Sequence, residues 1–306
     1  MLVLSATLAA VLATCPTFPA DPTELAPDST TVALGVDVDA FAQTSTGKAV
    51  LPALAADLQI AETLEILDDC NLALDRTYAL VLARDAGDGR MLAVQARALG
   101  EPATLECLAT ELRARGDGVE PWVRESTACF DSLALADGSR IWIGNDYSLI
   151  WATGGFLEPI AAKLTGAAPL GLPQSLADEF ARLDRSGQLW LAARLDDEDR
   201  KTLAAGWSRE AQSLTVAADL KSGLRAVVSI SAGTATALAG TRDRLLASFA
   251  NLAARLDDYG VEHRLRERAR VGIVAGVVAA EVELDEGELR AIRAKIGERV
   301  VGRGPL

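Results

Sequence analysis

The sequence predicts an α+β protein: two related modules of antiparallel hairpins with helices packed on one sheet face. Three observations carry this. A β-rich run leads straight into a helix-patterned stretch twice, at Thr31 to Ala56 and at Gln188 to Ala205. The other apolar runs come in pairs joined by short Gly- and Asp-rich turns, which antiparallel strands allow and parallel strands do not. The order strand, helix, hairpin, helix, hairpin, helix recurs in both halves, with one extra hairpin in the first. A distant duplication is expected from that order, and not from residue identity.

Composition sets the bounds. The chain has 306 residues, half of them hydrophobic, enough for one large or two ordinary domains. Aromatic residues make up only 5%, so Ala, Leu and Val must fill the core. The formal charge of −13 repels phosphate backbones and speaks against nucleic acid as a general partner. A single histidine, His263, excludes multi-His metal sites and leaves one candidate for any His-based triad.

The expected divisions are 1–15, a signal; 16–30, a Pro-rich tether; 31–185 and 186–301, the two modules. Met1 to Thr14 is apolar but too short for a transmembrane helix, which needs about 20 apolar residues. It fits the core of a secretory signal. It ends Leu12-Ala13-Thr14-Cys15, similar to the lipobox of bacterial lipoproteins. That resemblance implies lipidation of Cys15, and hence a membrane partner through an N-terminal lipid. Two features depart from the pattern: Thr14 stands where the family prefers Gly, Ala or Ser, and no Lys or Arg precedes the run. Pro16, where an Asp would retain such proteins at the inner membrane, implies the outer membrane. Alternatives are an ordinary cleaved signal, giving a secreted protein, and a buried N-terminal helix in a cytosolic one. Four prolines between Pro16 and Pro27 predict a stiff, extended tether.

In the first module Val32 to Val38 reads as a strand. Asp39 can cap the helix after it, with Phe41, Val50, Leu51 and Leu54 on its apolar face. Ile60 to Asp69 continues as helix. Tyr78 to Ala83 and Met91 to Arg97 form a hairpin around Asp85-Ala86-Gly87-Asp88-Gly89. Ala103 to Arg115 is a helix with Pro102 in its first turn. The strands Trp122 to Arg124, Cys129 to Leu135, Arg140 to Ile143 and Ser148 to Ala152 follow, then helices over Phe156 to Leu164 and Ser175 to Leu183.

In the second module Leu189 to Arg194 is a strand and Asp196 to Ala205 a helix. Ser213 to Leu220 and Leu224 to Ser231 form a hairpin. A helix runs from about Arg242 to Asp258, with Leu245, Leu246, Phe249, Leu252 and Leu256 at helical spacing. Val271 to Ala275 and Val277 to Leu284 turn at Gly276, and Glu286 to Ile296 closes as helix. With the strand Val32 to Asp37, the pair Gly47-Lys48 and these hairpins, the chain resembles a loose group of uncharacterised bacterial predicted lipoproteins. The resemblance implies fold and envelope localisation, and brings no activity with it.

Chemistry-bearing motifs are scarce. There is no Gly-rich phosphate loop, GxSxG elbow or CxxC pair. The acidic run Asp196 to Asp199 complements a helix dipole, and lacks the central Gly and alternating ligands of a calcium loop. Glu281, Glu283 and Asp285 alternate along a strand, as a solvated sheet face does, with Val282 and Leu284 inward. Arg264, Arg266, Arg268 and Arg270 would grip an anion from one face of a strand. On a helix or irregular segment, the favoured reading, they are solvated or paired to acidic neighbours.

With Cys15 lipidated, Cys70, Cys107 and Cys129 make one pair and one remainder in an oxidising compartment. The expected bridge is Cys70–Cys107, since two helices flanking one hairpin pack on the same sheet face. Cys70–Cys129 is the competing pair. No catalytic residue, metal site or cofactor is assigned. The leading function is an envelope-anchored or secreted, non-enzymatic binding or scaffold protein with an unknown protein or small-molecule ligand. The alternatives are a carrier of an apolar ligand between sheet and helices, and a hydrolase with a carboxylate-based site.

Overall fold

Among the described residues twelve strands form one antiparallel sheet, in which the two β-rich runs that open the halves pair with each other. The computed structural model describes residues 17–49, 65–72, 76–115, 120–126, 130–203 and 210–301. Cys15, Cys129, Val50, Leu51, Leu54 and Ile60 lie outside them. The strands are β1 Val32–Asp37, β2 Thr77–Arg84, β3 Arg90–Ala96, β4 Trp122–Ser126, β5 Asp131–Leu135 and β6 Arg140–Asn145. They continue as β7 Ser148–Thr153, β8 Leu189–Arg194, β9 Ala211–Asp219, β10 Gly223–Ala232, β11 Arg270–Val274 and β12 Val277–Asp285. Their spatial order is β11-β12-β10-β9-β8-β1-β2-β3-β7-β6-β5-β4. Outward from β1 run β2, β3, β7 and β6; outward from β8 run β9, β10, β12 and β11. The β4–β5 hairpin extends only the first half.

Helices that lie wholly within the described residues are α1 Val38–Gln43, α2 Pro102–Arg115, α3 Leu157–Leu164, α4 Ala177–Arg182, α5 Asp197–Leu203, α6 Ala235–Asp258, α7 Leu265–Arg268 and α8 Glu286–Val301. Strand alternation sorts side chains onto two faces. Ala33, Val81, Ala93, Ile150, Ala152 and Ala192 point to the first face, where Phe156, Ile160 and Leu164 of the α3 region and Phe180 of α4 cover them. Leu214, Ile230, Val278 and Ala280 point to the second, under Leu245 and Phe249 of α6. Leu284, Leu289 and Ile292 extend that core beneath α8.

The α+β class and antiparallel hairpins are as expected, but the helices do not all share one face. The second half keeps α6 and α8 on the second face, and Leu108 of α2 joins Val94 and Leu149 there. The first half sends α3 to the opposite side. Gly154, at φ +55, makes the turn after β7, a conformation that costs glycine little. After β12 there is no such turn, and the chain runs straight into α8.

Two helix starts differ from the sequence expectation. Asp37, not Asp39, caps α1, accepting from Ala40 N at 2.8 Å. The strand ends one residue earlier than the hydrophobic run suggests, because Val38 is buried from the helix. The long helix α6 begins at Ala235 behind its cap Thr234, whose hydroxyl accepts from Ala237 N at 3.1 Å. Its first turns carry little apolar periodicity, so the pattern alone starts it at Arg242.

The expected tether is part of the body. Pro22–Leu25 form a 3-10 turn, and Thr23, Leu25, Ala26 and Thr30 are fully buried. Asp21 caps this turn and Pro22 supplies its fixed φ. Lys163 of α3 holds the segment in place. Its buried ammonium donates to the carbonyls of Glu24 (3.0 Å), Ala26 (2.7 Å) and Gly171 (3.2 Å), so all three of its donors are used. Burial lowers the Lys163 pKa, an effect that Asp28 and Glu24 offset only in part.

Cys70 and Cys107 are bridged as expected, with Cα atoms 5.7 Å apart. The bond ties helical residues 65–69 to α2 on the second face. Its loop spans a sequence separation of 37. In the chain-entropy picture such a loop contributes about 4 kcal/mol. Replacing both cysteines with serine lowers the urea midpoint accordingly, and dithiothreitol brings the unaltered protein to the same value. Midpoints indifferent to both changes would mean that the bridge adds nothing.

Candidate functional site

Among the described residues a recess lies on the first face at the seam of the two halves, with a volume of about 560 Å³. Its floor is Gly35 of β1 with Ala79 and Val81 of β2, and Gln95 of β3 borders it. Trp190 of β8, Arg185, and the Ala20–Pro22 segment form the walls. Asp37 and Asp39 stand at the mouth, where β1 gives way to α1.

Each wall residue is fixed from beneath. Gly35 and Trp190 are register partners. A Cβ at Gly35 would lie 2.1 Å from the Trp190 indole, so the ring occupies the space a side chain would need. Overpacking of this kind costs about 1–3 kcal/mol, which makes glycine the residue that fits. Trp190 also meets Phe180 edge-on, with centroids 5.7 Å apart. The Arg185 guanidinium carbon sits 5.4 Å from both ring centroids, and its Nη1 donates to Asp21 Oδ2 at 2.7 Å. Gly187 lets the loop pass close to β9, where a Cβ would come within 2.4 Å of the Ala218 carbonyl oxygen. Beyond it the fully buried Gln188 accepts from Leu220 N at 2.6 Å.

Burial would raise the Asp21 pKa, but hydrogen bonds from Thr23 and Arg185 outweigh it and hold the carboxyl below its ordinary value. Asp21 is therefore an ionised ligand and a poor proton donor at neutral pH. No basic side chain among the described residues pairs with Asp37 or Asp39.

The sequence-derived candidates lie elsewhere. Arg264 and Arg268 come together on Asp285, at 3.3 and 3.4 Å, and Arg268 also reaches Glu288 at 2.9 Å. Arg266 turns to Asp257 at 2.6 Å, and Arg270 opens β11. Asp285 and Glu288 form a reciprocal capping box at the start of α8: Glu288 N donates to Asp285 Oδ1 (3.0 Å) and Asp285 N to Glu288 Oε2 (2.8 Å). The anion that Arg264 and Arg268 hold is thus the protein's own helix cap. His263 is nearly buried; its Nδ1 accepts from Leu265 N at 3.2 Å, while Nε2 faces the Ala253 carbonyl and Asp257. Glu281 pairs with Arg225 at 2.8 Å on the first face, and Val282 and Leu284 turn to the core, as the alternation implied. The acidic run at 196–199 caps α5, with Asp196 Oδ1 accepting from Asp199 N at 2.8 Å. Cys15 lies outside the described residues. Among those residues no group of three or more His, Cys, Asp or Glu side chains is placed to hold a metal ion. None of their helices is long and apolar enough to cross a membrane.

The seam groove has no signature in the sequence. Its parts come from five separated stretches, and only Asp21-Pro22, a capping pair, is locally recognisable. Together they define an antiparallel α+β protein with an open groove of mixed polarity where its halves meet. Solved structures share this fold. Crystal form III of TP0453 matches with a TM-score of 0.54 at 12% identity, over 90% of this chain and 98% of that one. Crystal form I matches with a TM-score of 0.51 at 12% identity, over 92% and 98%. No family model and no curated protein sequence matches the chain.

The groove's ion pair carries a pH dependence. Because the folded pKa of Asp21 is lowered, its contribution to stability is complete above the unfolded value near 3.8 and is lost as pH falls through the folded value. Asp257 and Asp285 act in the same sense through Arg266 and the Glu288 amide, respectively. Stability is expected to be level from pH 7 to about 5 and to fall below about 4. Asp21→Asn should cost about 1 kcal/mol at pH 7 and shallow the acid limb; the figure is small because the pair is partly screened. Urea titrations across this range check both.

Proposed function

We propose that this is a non-enzymatic binding protein of the bacterial cell envelope, anchored or secreted, whose ligand occupies the seam groove. The observation that carries the reading is the groove itself. Its volume of about 560 Å³ lies in the range of small-molecule sites, and its walls are fixed by packing and hydrogen bonds. A carboxylate-based hydrolase is a poorer reading, because Asp21 is held ionised and is already paired to Arg185. The same strand order on either side of the β1–β8 pair supports descent from a duplicated module. Filling the groove by Ala79→Phe should leave the melting temperature within a few degrees and abolish a non-covalent adduct in native mass spectrometry. Identical adduct-free spectra for both proteins would count against the groove.

A second reading, the apolar-ligand carrier, draws on the opposite face. Leu82 of β2 stands 45% exposed there. An apolar adduct that survives Ala79→Phe and disappears in Leu82→Glu would move the site to this face.

Lipidation of Cys15 belongs to the same proposal, as does membership of the predicted-lipoprotein group. Because Phe18 already packs against the core, only Pro16 and Thr17 separate Cys15 from the body. Such a leash reaches roughly 10 Å, so a lipid there holds the body directly against the bilayer. Radiolabelled palmitate should enter the protein in bacterial cells and not its Cys15→Ala variant; equal labelling, or none, removes the anchor and leaves the secreted form.

A further inference from the structure

We propose that the ligand of the seam groove is a small organic cation, a primary amine or guanidinium carried on an apolar stem. This rests on the groove being the ligand site. Three carboxylates, Asp21, Asp37 and Asp39, line the groove against one cation, Arg185. Arg185 is matched by Asp21, so the pair at the mouth is left as uncompensated negative charge. Each of that pair spends one oxygen on a neutral donor: Asp37 Oδ1 caps α1, and Asp39 Oδ1 accepts from Gln43. Neither meets a basic side chain among the described residues.

The inner wall shows the recognition chemistry already at work. There the guanidinium of Arg185 lies over Phe180 and Trp190 and ends on a carboxylate. A ligand lying on Ala79 beside the Trp190 ring, with its charged end between Asp37 and Asp39, would repeat that arrangement one step further out. An anionic ligand meets the opposite situation. It would have to displace Asp21 from Arg185 while facing two unpaired carboxylates. The whole-chain charge of −13 draws cations and repels anions on approach.

Three probes of one length separate the possibilities: 1,6-diaminohexane, adipate and 1,6-hexanediol. Binding to the full chain is followed by isothermal titration calorimetry and by amide shifts of Gly35 and Ala79. The diamine is expected to bind and to move both amides. Raising the salt from about 20 to 300 mM should weaken it roughly tenfold, as for a solvent-exposed charge pair. Asp37→Asn/Asp39→Asn should weaken it at least about tenfold and keep α1 intact, because Asn serves as well as Asp at a helix cap. Circular dichroism and the melting temperature confirm that the variant is folded. If adipate or hexanediol moves the same amides and the diamine does not, the cation is wrong and the groove stands. If the double variant binds the diamine as the parent does, the mouth carboxylates are not its site and the proposal fails. If no probe moves those amides at 5 mM, a deliberately generous limit of about 3 kcal/mol in affinity, the groove and the cation fall together.

Discussion

The fold depends on one close approach, the indole of Trp190 lying across Gly35. Antiparallel pairing of β1 with β8 sets these two residues side by side, and the missing Cβ gives the ring its place. This contact does two things at once. It joins the sheets of the two halves into a single twelve-stranded sheet without a gap in the first-face core. It also leaves a shallow floor of small residues beside the ring. The groove is thus a by-product of how the seam is packed.

A second constraint is the N-terminal segment. A Pro-rich stretch with few apolar residues has little reason to fold alone. Here it is recruited by a buried lysine that takes three of its neighbourhood's carbonyls, and by Arg185, which takes Asp21. Those bonds turn residues 17–30 into the missing wall of the groove and bring the start of the body close to whatever holds residue 15.

Charge is used differently in different places. Near α8 the carboxylates and arginines neutralise one another in a capping network, so an abundance of arginine there builds structure and not a receptor. At the groove mouth the balance is left open. The contrast explains why counting charged residues along the chain points to Arg264–Arg270, while the groove's carboxylates without a basic partner among the described residues are Asp37 and Asp39.

The sequence by itself determined the local elements: the hairpins, most helices, and the strand alternation of Glu281 and Glu283. Each depends on residues close along the chain, where periodicity, turn chemistry and loop length act directly. What only the tertiary structure decided depends on distant partners. Nothing local in PTFPADPTEL announces a buried wall, because its burial comes from Lys163, Gly171 and Arg185. Nothing local in the strand around Gly35 announces an indole across it, since Trp190 arrives from the other half. The choice of face for α3 turned on Gly154 and its positive φ, a backbone state visible only once the chain is folded. Helix and strand follow from short-range sterics and hydrophobic period, whereas the groove follows from long-range register, which no single stretch encodes.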